Sequence, residues 1–145
     1  LNAKIDEFRA AIGLAMLDRM RDVTAARTRH ADFYDALFAQ IPGTRTAQAP
    51  GPTPWSTYPV VFDRPVTAET LGAFADNGIE IKKYYWPGVL KGYRGPREVL
   101  SVDTPASFAL QDCCACFPVY SDFTPETDSM LAERIERALG LLGNR

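Results

Sequence analysis

Between Ile5 and Met20 the apolar residues Ile5, Phe8, Ile12 and Met16 recur three and four positions apart, and Ala10, Ala11, Leu14 and Leu17 widen the arc. That spacing predicts a helix over 5–20, apolar around so much of its circumference that it must be mostly buried. A second helix is predicted from Asp22 to Gln40. Val23, Ala26, His30, Phe33, Leu37 and Ile41 form its stripe, Arg27, Arg29, Asp32 and Asp35 lie elsewhere, and Pro42-Gly43 stops it.

Residues 44–56 hold Pro50-Gly51-Pro52 and Pro54 with little apolar content, the pattern of an irregular connector inside a domain. Thr57 to Phe62 is rich in strand formers, and Pro59 points to an edge strand or an early strand position, because it lacks a ladder donor. Thr67 caps a short helix through Asp76, which Asn77-Gly78 closes. From Ile79 to Tyr85, Ile79 and Ile81 alternate with Glu80 and Lys82, the mark of a half-buried strand. Residues 86–103 carry Pro87, Gly88, Gly92, Gly95 and Pro96 and read as a long loop of the kind that is usually functional or mobile. Thr104-Pro105 and Thr124-Pro125-Glu126 are helix starts, and Cys116 to Tyr120 between them reads as a short strand. The last helix sets Leu131, Ile135, Ala138 and Leu142 on one face. Helices and strands in this order predict an α/β domain of the two-layer α+β kind, a small sheet covered by helices.

Composition narrows the picture. The 145 residues are 46% hydrophobic and carry a net charge of −2, which suits one globular domain, 1–145, with a core of its own. No apolar run approaches the roughly 20 residues of a membrane span, and the first residues do not resemble a secretory signal, so no membrane partner and a cytoplasmic location are expected. Cys113, Cys114 and Cys116 are too close together and odd in number for a disulfide framework. The chain opens at Leu1 directly into helical pattern, as though cut from something larger.

Charge is uneven. Residues 79–97 hold Lys82, Lys83, Lys91, Arg94 and Arg97 against Glu80 alone, a local net of +4 in a chain of −2, together with Tyr84, Tyr85, Trp86 and Tyr93. Cations pair with phosphates and aromatic faces stack on bases, so this segment suits a nucleotide diphosphate. A solvated loop pinned by its aromatic residues has the same composition. A single-stranded nucleic acid would also fit locally, but the overall acidity argues against it, and no nucleic-acid partner is expected. Cys114 and Cys116 face one side of a strand, yet a zinc site needs about four ligands and His30 is the chain's one histidine, so no metal is expected and the thiols read as buried and apolar. His30 itself reads as a packed residue. Without a second histidine no Ser-His-Asp set can be assembled, and no phosphate loop or Gly-x-Gly-x-x-Gly element is present. The chain contains no self-sufficient catalytic site.

Several stretches form a familiar series: Asn2-Ala3-Lys4-x-x-Glu7-Phe8-x-Ala10-Ala11-x-Gly13-Leu14, then Arg27 with Ala31 and Tyr34, Trp55-Ser56-x-Tyr58, Gly78-Ile79 ahead of Lys83-Tyr84-Tyr85-Trp86-Pro87, Cys116-Phe117-Pro118-Val119-Tyr120, and Thr124-Pro125-Glu126. In this order they resemble the C-terminal part of the DegT/DnrJ/EryC1/StrS family, sugar aminotransferases that use pyridoxal phosphate. The resemblance covers nearly the whole chain. It implies the small C-terminal domain of a fold-type-I transferase, acting on a nucleotide-linked keto sugar in the complete enzyme. The large domain, with its Schiff-base lysine, pyridine-pairing aspartate and phosphate cup, is absent, so the chain alone is expected to be inactive and to hold no cofactor.

The same resemblance implies that Asn2 reaches the cofactor phosphate of the neighbouring subunit in a homodimer, and that Lys83, Tyr85 and Trp86, with Lys91 and Arg94 behind them, border the nucleotide-sugar site. Leu90 stands where many members have a histidine. A homo-oligomer through the helix 5–20 is expected. The alternative from a different class is a free-standing truncated domain that serves as an interaction or nucleotide-sugar-binding module.

Overall fold

A computed structural model describes residues 4–49, 51, 53–84 and 105–143, and these form five helices and three strands. Helix α1 (Glu7–Asp18) starts at Asp6, whose carboxylate accepts the Arg9 N–H at 2.8 Å. The helical path breaks at Arg19 and resumes as α2 (Met20–Phe38). Strands β1 (Thr44–Thr46) and β2 (Thr57–Phe62) follow, then α3 (Ala68–Asp76), α4 (Pro105–Cys113), β3 (Cys114–Pro118) and α5 (Pro125–Gly143). This is an α+β fold, with helices over one face of a small antiparallel sheet of order β1-β2-β3.

Alternation along the strands decides which face is covered. Tyr58, Val60 and Phe62 of β2 and Ala115 and Phe117 of β3 are buried on one side, with Tyr58 opposite Phe117 and Val60 opposite Ala115. Against them pack Tyr34 and Phe38 of α2, Phe74 of α3, and Leu131, Ile135 and Ala138 of α5. Tyr34 is the centre of this cluster: its ring centroid lies 5.0 Å from that of Tyr58, 5.6 Å from Phe117 and 6.0 Å from Phe38.

Several expectations change here. Helix α1 buries none of its residues within this chain: Phe8 is 76% exposed and Leu14 65%. The helical path breaks at Arg19, and the apolar residues of α1 other than the half-buried Ala10 stay exposed. The buried stripe of α2 is His30, Ala31, Tyr34, Leu37 and Phe38, while Val23, Ala26, Phe33 and Ile41 are half-buried. The supposed connector contains β1, held because the Thr44 hydroxyl donates to the carbonyls of Phe38 and Ile41 and so sets the strand beside β2. Strand β3 runs over 114–118, two residues before the predicted span.

Pro59 lies in the central strand, not at an edge. Its partner Cys116 uses its own N–H and C=O on Lys82, at 2.8 and 3.1 Å, so the Pro59–Cys116 pair exchanges no ladder bonds. The proline nitrogen therefore faces the β1 side, where pairing has already ended at Thr46–Val60, and no donor is missed. The alternation of Ile79 and Ile81, buried, with Glu80 and Lys82, exposed, is as expected, but the segment pairs with the sheet through the single bridge Lys82–Cys116.

Helix α3 forms as its sequence dictates. Thr67 and Thr70 form a reciprocal capping box. At its end Gly78 takes φ +74°, its N–H bonds Ala75 and the Ile79 N–H bonds Phe74, while the apolar pair Ile79 and Phe74 is buried beneath the turn.

A polar seam joins α2 to α5. His30 Nδ1 lies 2.8 Å from Asp128 Oδ1, and Arg29 Nη1 lies 2.8 Å from the other oxygen. His30 is fully buried, and its Nε2 has no hydrogen-bond partner among the described residues. This environment fits a neutral imidazole that donates from Nδ1. Burial holds its pKa below the ordinary 6.5, against the pull of Asp128. The unfolded chain therefore takes up a proton that the folded chain refuses, and stability declines as pH falls below about 6.5. Asp128→Ala strands a buried donor and is expected to cost about 2 kcal/mol in urea denaturation at pH 7.5. His30→Phe should flatten the part of the pH 7 to 5 stability profile that belongs to this residue; an unchanged profile would refute the assignment.

Candidate functional site

The other face of the sheet has no helix on it among the described residues. Thr57, Pro59 and Val61 of β2 and Cys114, Cys116 and Pro118 of β3 point there, each half-buried. Two adjoining depressions share Ser56, Thr57, Tyr84 and Cys116: one extends toward Trp55 and Cys114, the other toward Glu80, Lys82 and Tyr120. Together they form a cleft with a hydroxyl-bearing wall, a thiol floor and a rim of aromatic rings and one ammonium group.

The wall is held from behind. Arg27 on α2 donates from Nη1 to the Trp55 carbonyl and from Nε to Ser121 Oγ, each at 3.2 Å, and so ties the approach to β2 to the exit from β3. The Tyr34 hydroxyl donates to the Pro118 carbonyl at 2.8 Å, and the Tyr58 hydroxyl donates to Asp35 Oδ1. Burial raises the pKa of both phenols and keeps them protonated donors. Arg29 Nη2 also donates to the Phe123 carbonyl at the turn into α5.

Parity divides the basic residues. Lys82 and Glu80 extend to the open side, Nζ to Oε1 3.2 Å, and this pair raises the pKa of Lys82. Lys83, one residue on, turns to the helical layer, where its ammonium donates to the Val66 carbonyl at 3.0 Å and the Asp112 carbonyl at 3.2 Å. The second bond places a cation at the carboxyl end of α4. Lys83 is thus the one predicted site residue that the structure describes, and its Nζ lies on backbone carbonyls. Asn2, Tyr85, Trp86, Lys91 and Arg94 lie outside the described residues. Lys82, Tyr84, Thr57 and Cys116 are cleft residues that sequence reasoning did not single out as a set. The Glu80-x-Lys82 alternation was the available signal for Lys82, whereas only the β2–β3 register brings Thr57 beside Cys116.

The described residues do not fit pyridoxal phosphate. That group needs a lysine free to form an imine, a carboxylate for its pyridine nitrogen and a cup of donors for its phosphate. Of the described lysines, Lys82 is paired with Glu80, Lys83 donates to two backbone carbonyls, and Lys4 lies exposed ahead of α1. No cluster of three or more His, Cys, Asp or Glu among the described residues could hold a metal ion. No described helix is long and apolar enough to cross a membrane.

Comparison with known proteins adds the family. The sequence profile of the DegT/DnrJ/EryC1/StrS aminotransferase family matches residues 1–136. Among solved structures, the fold is similar to PseC of Helicobacter pylori, an aminotransferase involved in the biosynthesis of pseudoaminic acid, with TM-score 0.77 and 16% identity over 95% of this chain and 38% of that one. It is similar to DesI solved in the presence of its TDP-sugar product, with TM-score 0.73 and 21% identity over 99% of this chain and 40% of that one. A third is the putative sugar aminotransferase Spr1654 of Streptococcus pneumoniae in its PMP form, with TM-score 0.73 and 20% identity over 92% and 36%. The chain therefore spans about two fifths of the length of these structures. No curated protein sequence matches it.

Lys83→Met removes two bonds that join the 82–84 segment to Val66, ahead of α3, and to Asp112 in α4, and is expected to lower stability by about 1 kcal/mol. Lys82→Met, at an exposed pair, should stay within about 0.5 kcal/mol. Equal effects in parallel urea titrations would contradict the division by parity.

Proposed function

The chain belongs to the DegT/DnrJ/EryC1/StrS aminotransferase family, and from that membership we propose that it is the C-terminal part of a pyridoxal-phosphate-dependent enzyme. That enzyme transfers an amino group from an amino acid to a nucleotide-linked keto sugar. The observation that carries this reading is the family match over 1–136 joined to coverage of only 36–40% of the similar structures, while Lys82 is paired with Glu80 and Lys83 donates to backbone carbonyls. In this reading the imine-forming lysine, the pyridine partner and the phosphate cup belong to a segment other than this one. The chain's own contribution is one wall of the sugar site. Lys83 anchors the start of the basic segment, and Tyr85, Trp86, Lys91 and Arg94 meet the diphosphate and base. The TDP-sugar of the DesI structure supports a nucleotide-linked substrate by analogy.

The exposed apolar arc of α1 supports a homodimer in the same reading. An antiparallel two-fold pairing of two α1 helices buries Phe8, Ile12 and Met16, which share one face of the helix and are all exposed in the single chain, against their copies. Asn2, five residues ahead of α1 in the sequence, is the residue whose amide can donate to the cofactor phosphate of the neighbouring subunit in this reading.

Two measurements test the reading. A thymidine-diphosphate sugar added to the purified chain should quench tryptophan fluorescence saturably, and Lys91→Ala with Arg94→Ala should weaken this at least tenfold; binding unaffected by the double variant would overturn the wall. Pyridoxal phosphate followed by borohydride should leave no stoichiometric adduct, and a labelled lysine in this chain would move the active site into it. For the homodimer, sedimentation should find a dimer that Ile12→Glu converts to monomer, and a monomeric parent chain would refute the pairing.

A further inference from the structure

Arg134 on α5 is a half-buried cation that the fold positions and leaves unpaired. Its guanidinium lies over the turn that closes α3: a Cβ built on Gly78 would fall 2.8 Å from Arg134 Nη1, so the bare glycine makes room for it. The carbonyls of that turn are already taken. Asn77 Nδ2 donates to Ala73, the N–H groups of Asn77 and Ile79 donate to Phe74, and that of Gly78 donates to Ala75. Three and four positions from Arg134 along the helix stand Met130, Leu131, Arg137 and Ala138, none of them an acid. Glu133 and Glu136, one and two positions away, project elsewhere around the helix. Among the described residues no hydrogen bond or ion pair reaches this guanidinium.

The unpaired cation borders a cavity of about 260 Å³ between the end of α3, the turn after β3 and α5. The walls are largely apolar. Ile79 and Leu131 are buried beside it, Tyr120 and Met130 are 55% and 46% exposed, and Phe123 meets Tyr120 edge to face at 5.1 Å. The Phe123 ring is in turn held from the core side by the His30 ring, 4.3 Å away. One acid stands on the lip, Glu80, and it is already paired with Lys82 at 3.2 Å. The volume falls just below the range of about 300–1,000 Å³ that takes drug-sized ligands, so it suits a single ring on a short arm.

We propose that this cavity binds a small aromatic carboxylate, with the ring against Tyr120, Phe123 and Met130 and the carboxylate on the Arg134 guanidinium. A planar carboxylate matches the guanidinium fork and accepts two of its N–H groups at once, which no other group around the cavity does. The aromatic pair supplies a face and an edge for the ring. One guanidinium, with the Glu80 carboxylate nearby, favours a single negative charge over a phosphate dianion. The assignment does not rest on the aminotransferase reading. Glu80, Pro118 and Tyr120 line both this cavity and the cleft on the open face of the sheet, so an occupant here shares a wall with that cleft.

The test titrates the purified chain with phenylacetate and follows its amide signals by NMR. Saturable shifts centred on Gly78, Tyr120, Met130 and Arg134 are expected, in the millimolar range for so small a ligand. Phenylacetamide, equal in shape but uncharged, should bind about tenfold more weakly, and Arg134→Gln should weaken phenylacetate by a similar factor. Because the guanidinium makes no bond within the described fold, the urea midpoint of that variant should stay near the parent's. Met130→Glu supplies an acid four residues before Arg134, which should occupy the guanidinium and abolish binding in a chain that circular dichroism shows to be folded. Equal binding of acid and amide, tighter binding of phenyl phosphate, shifts centred elsewhere, an absence of saturation, or an Arg134→Gln variant that loses stability but keeps its affinity would each overturn the proposal.

Discussion

Tyr34 bears the constraint on which the rest of the fold depends. A phenol can be taken out of water only if its hydroxyl finds an acceptor, and here the acceptor is the Pro118 carbonyl at the end of β3. That bond fixes where α2 lies along the sheet, and the ring contacts with Tyr58 and Phe117 fix its height above it. Phe74 then closes on Phe117 from α3, at 5.4 Å and almost perpendicular. The aromatic layer is thus built outward from one hydrogen bond, and every ring has an edge or face partner that removes most of its freedom.

The same economy explains why the stretches that resemble the family hold the scaffold in place. Arg27, Tyr34 and Tyr58 each bond an element distant in sequence, and two of those bonds end on backbone carbonyls next to the cleft, at Trp55 and Pro118. The His30–Asp128–Arg29 seam then fixes α5 to α2 on the far side. The bonds of the closed face thus position the backbone that lines the open one.

The two faces are chemically unlike. Beneath the helices lie aromatic and aliphatic side chains. On the open side are a threonine, prolines, two thiols and the Glu80–Lys82 pair, a surface that can meet a polar ligand or a second body of protein without a large desolvation cost. Helix α1 differs from both: none of its residues is buried in the core.

Sequence alone determined the local features, since their causes lie within a few residues. The Thr67 cap, the Gly78 closure, the Pro105 and Pro125 helix starts and the face of α5 all follow from such short-range bonds and periodicities. The family was legible too, through motifs in a fixed order. Other features needed the tertiary structure. Three-residue β1 has too little periodicity to be read and exists because Thr44 is tied to the end of α2. Pro59 could enter a central strand only because β1 stops one residue short of it. The apolar breadth of α1 predicted burial but could not name the surface that supplies it. Lys82 and Lys83, adjacent and identical in charge, took opposite faces by strand parity, and Cys116 met Thr57 and Lys82 by register. Contacts between segments dozens of residues apart depend on how strands align, and that alignment is decided by the packing of the whole core.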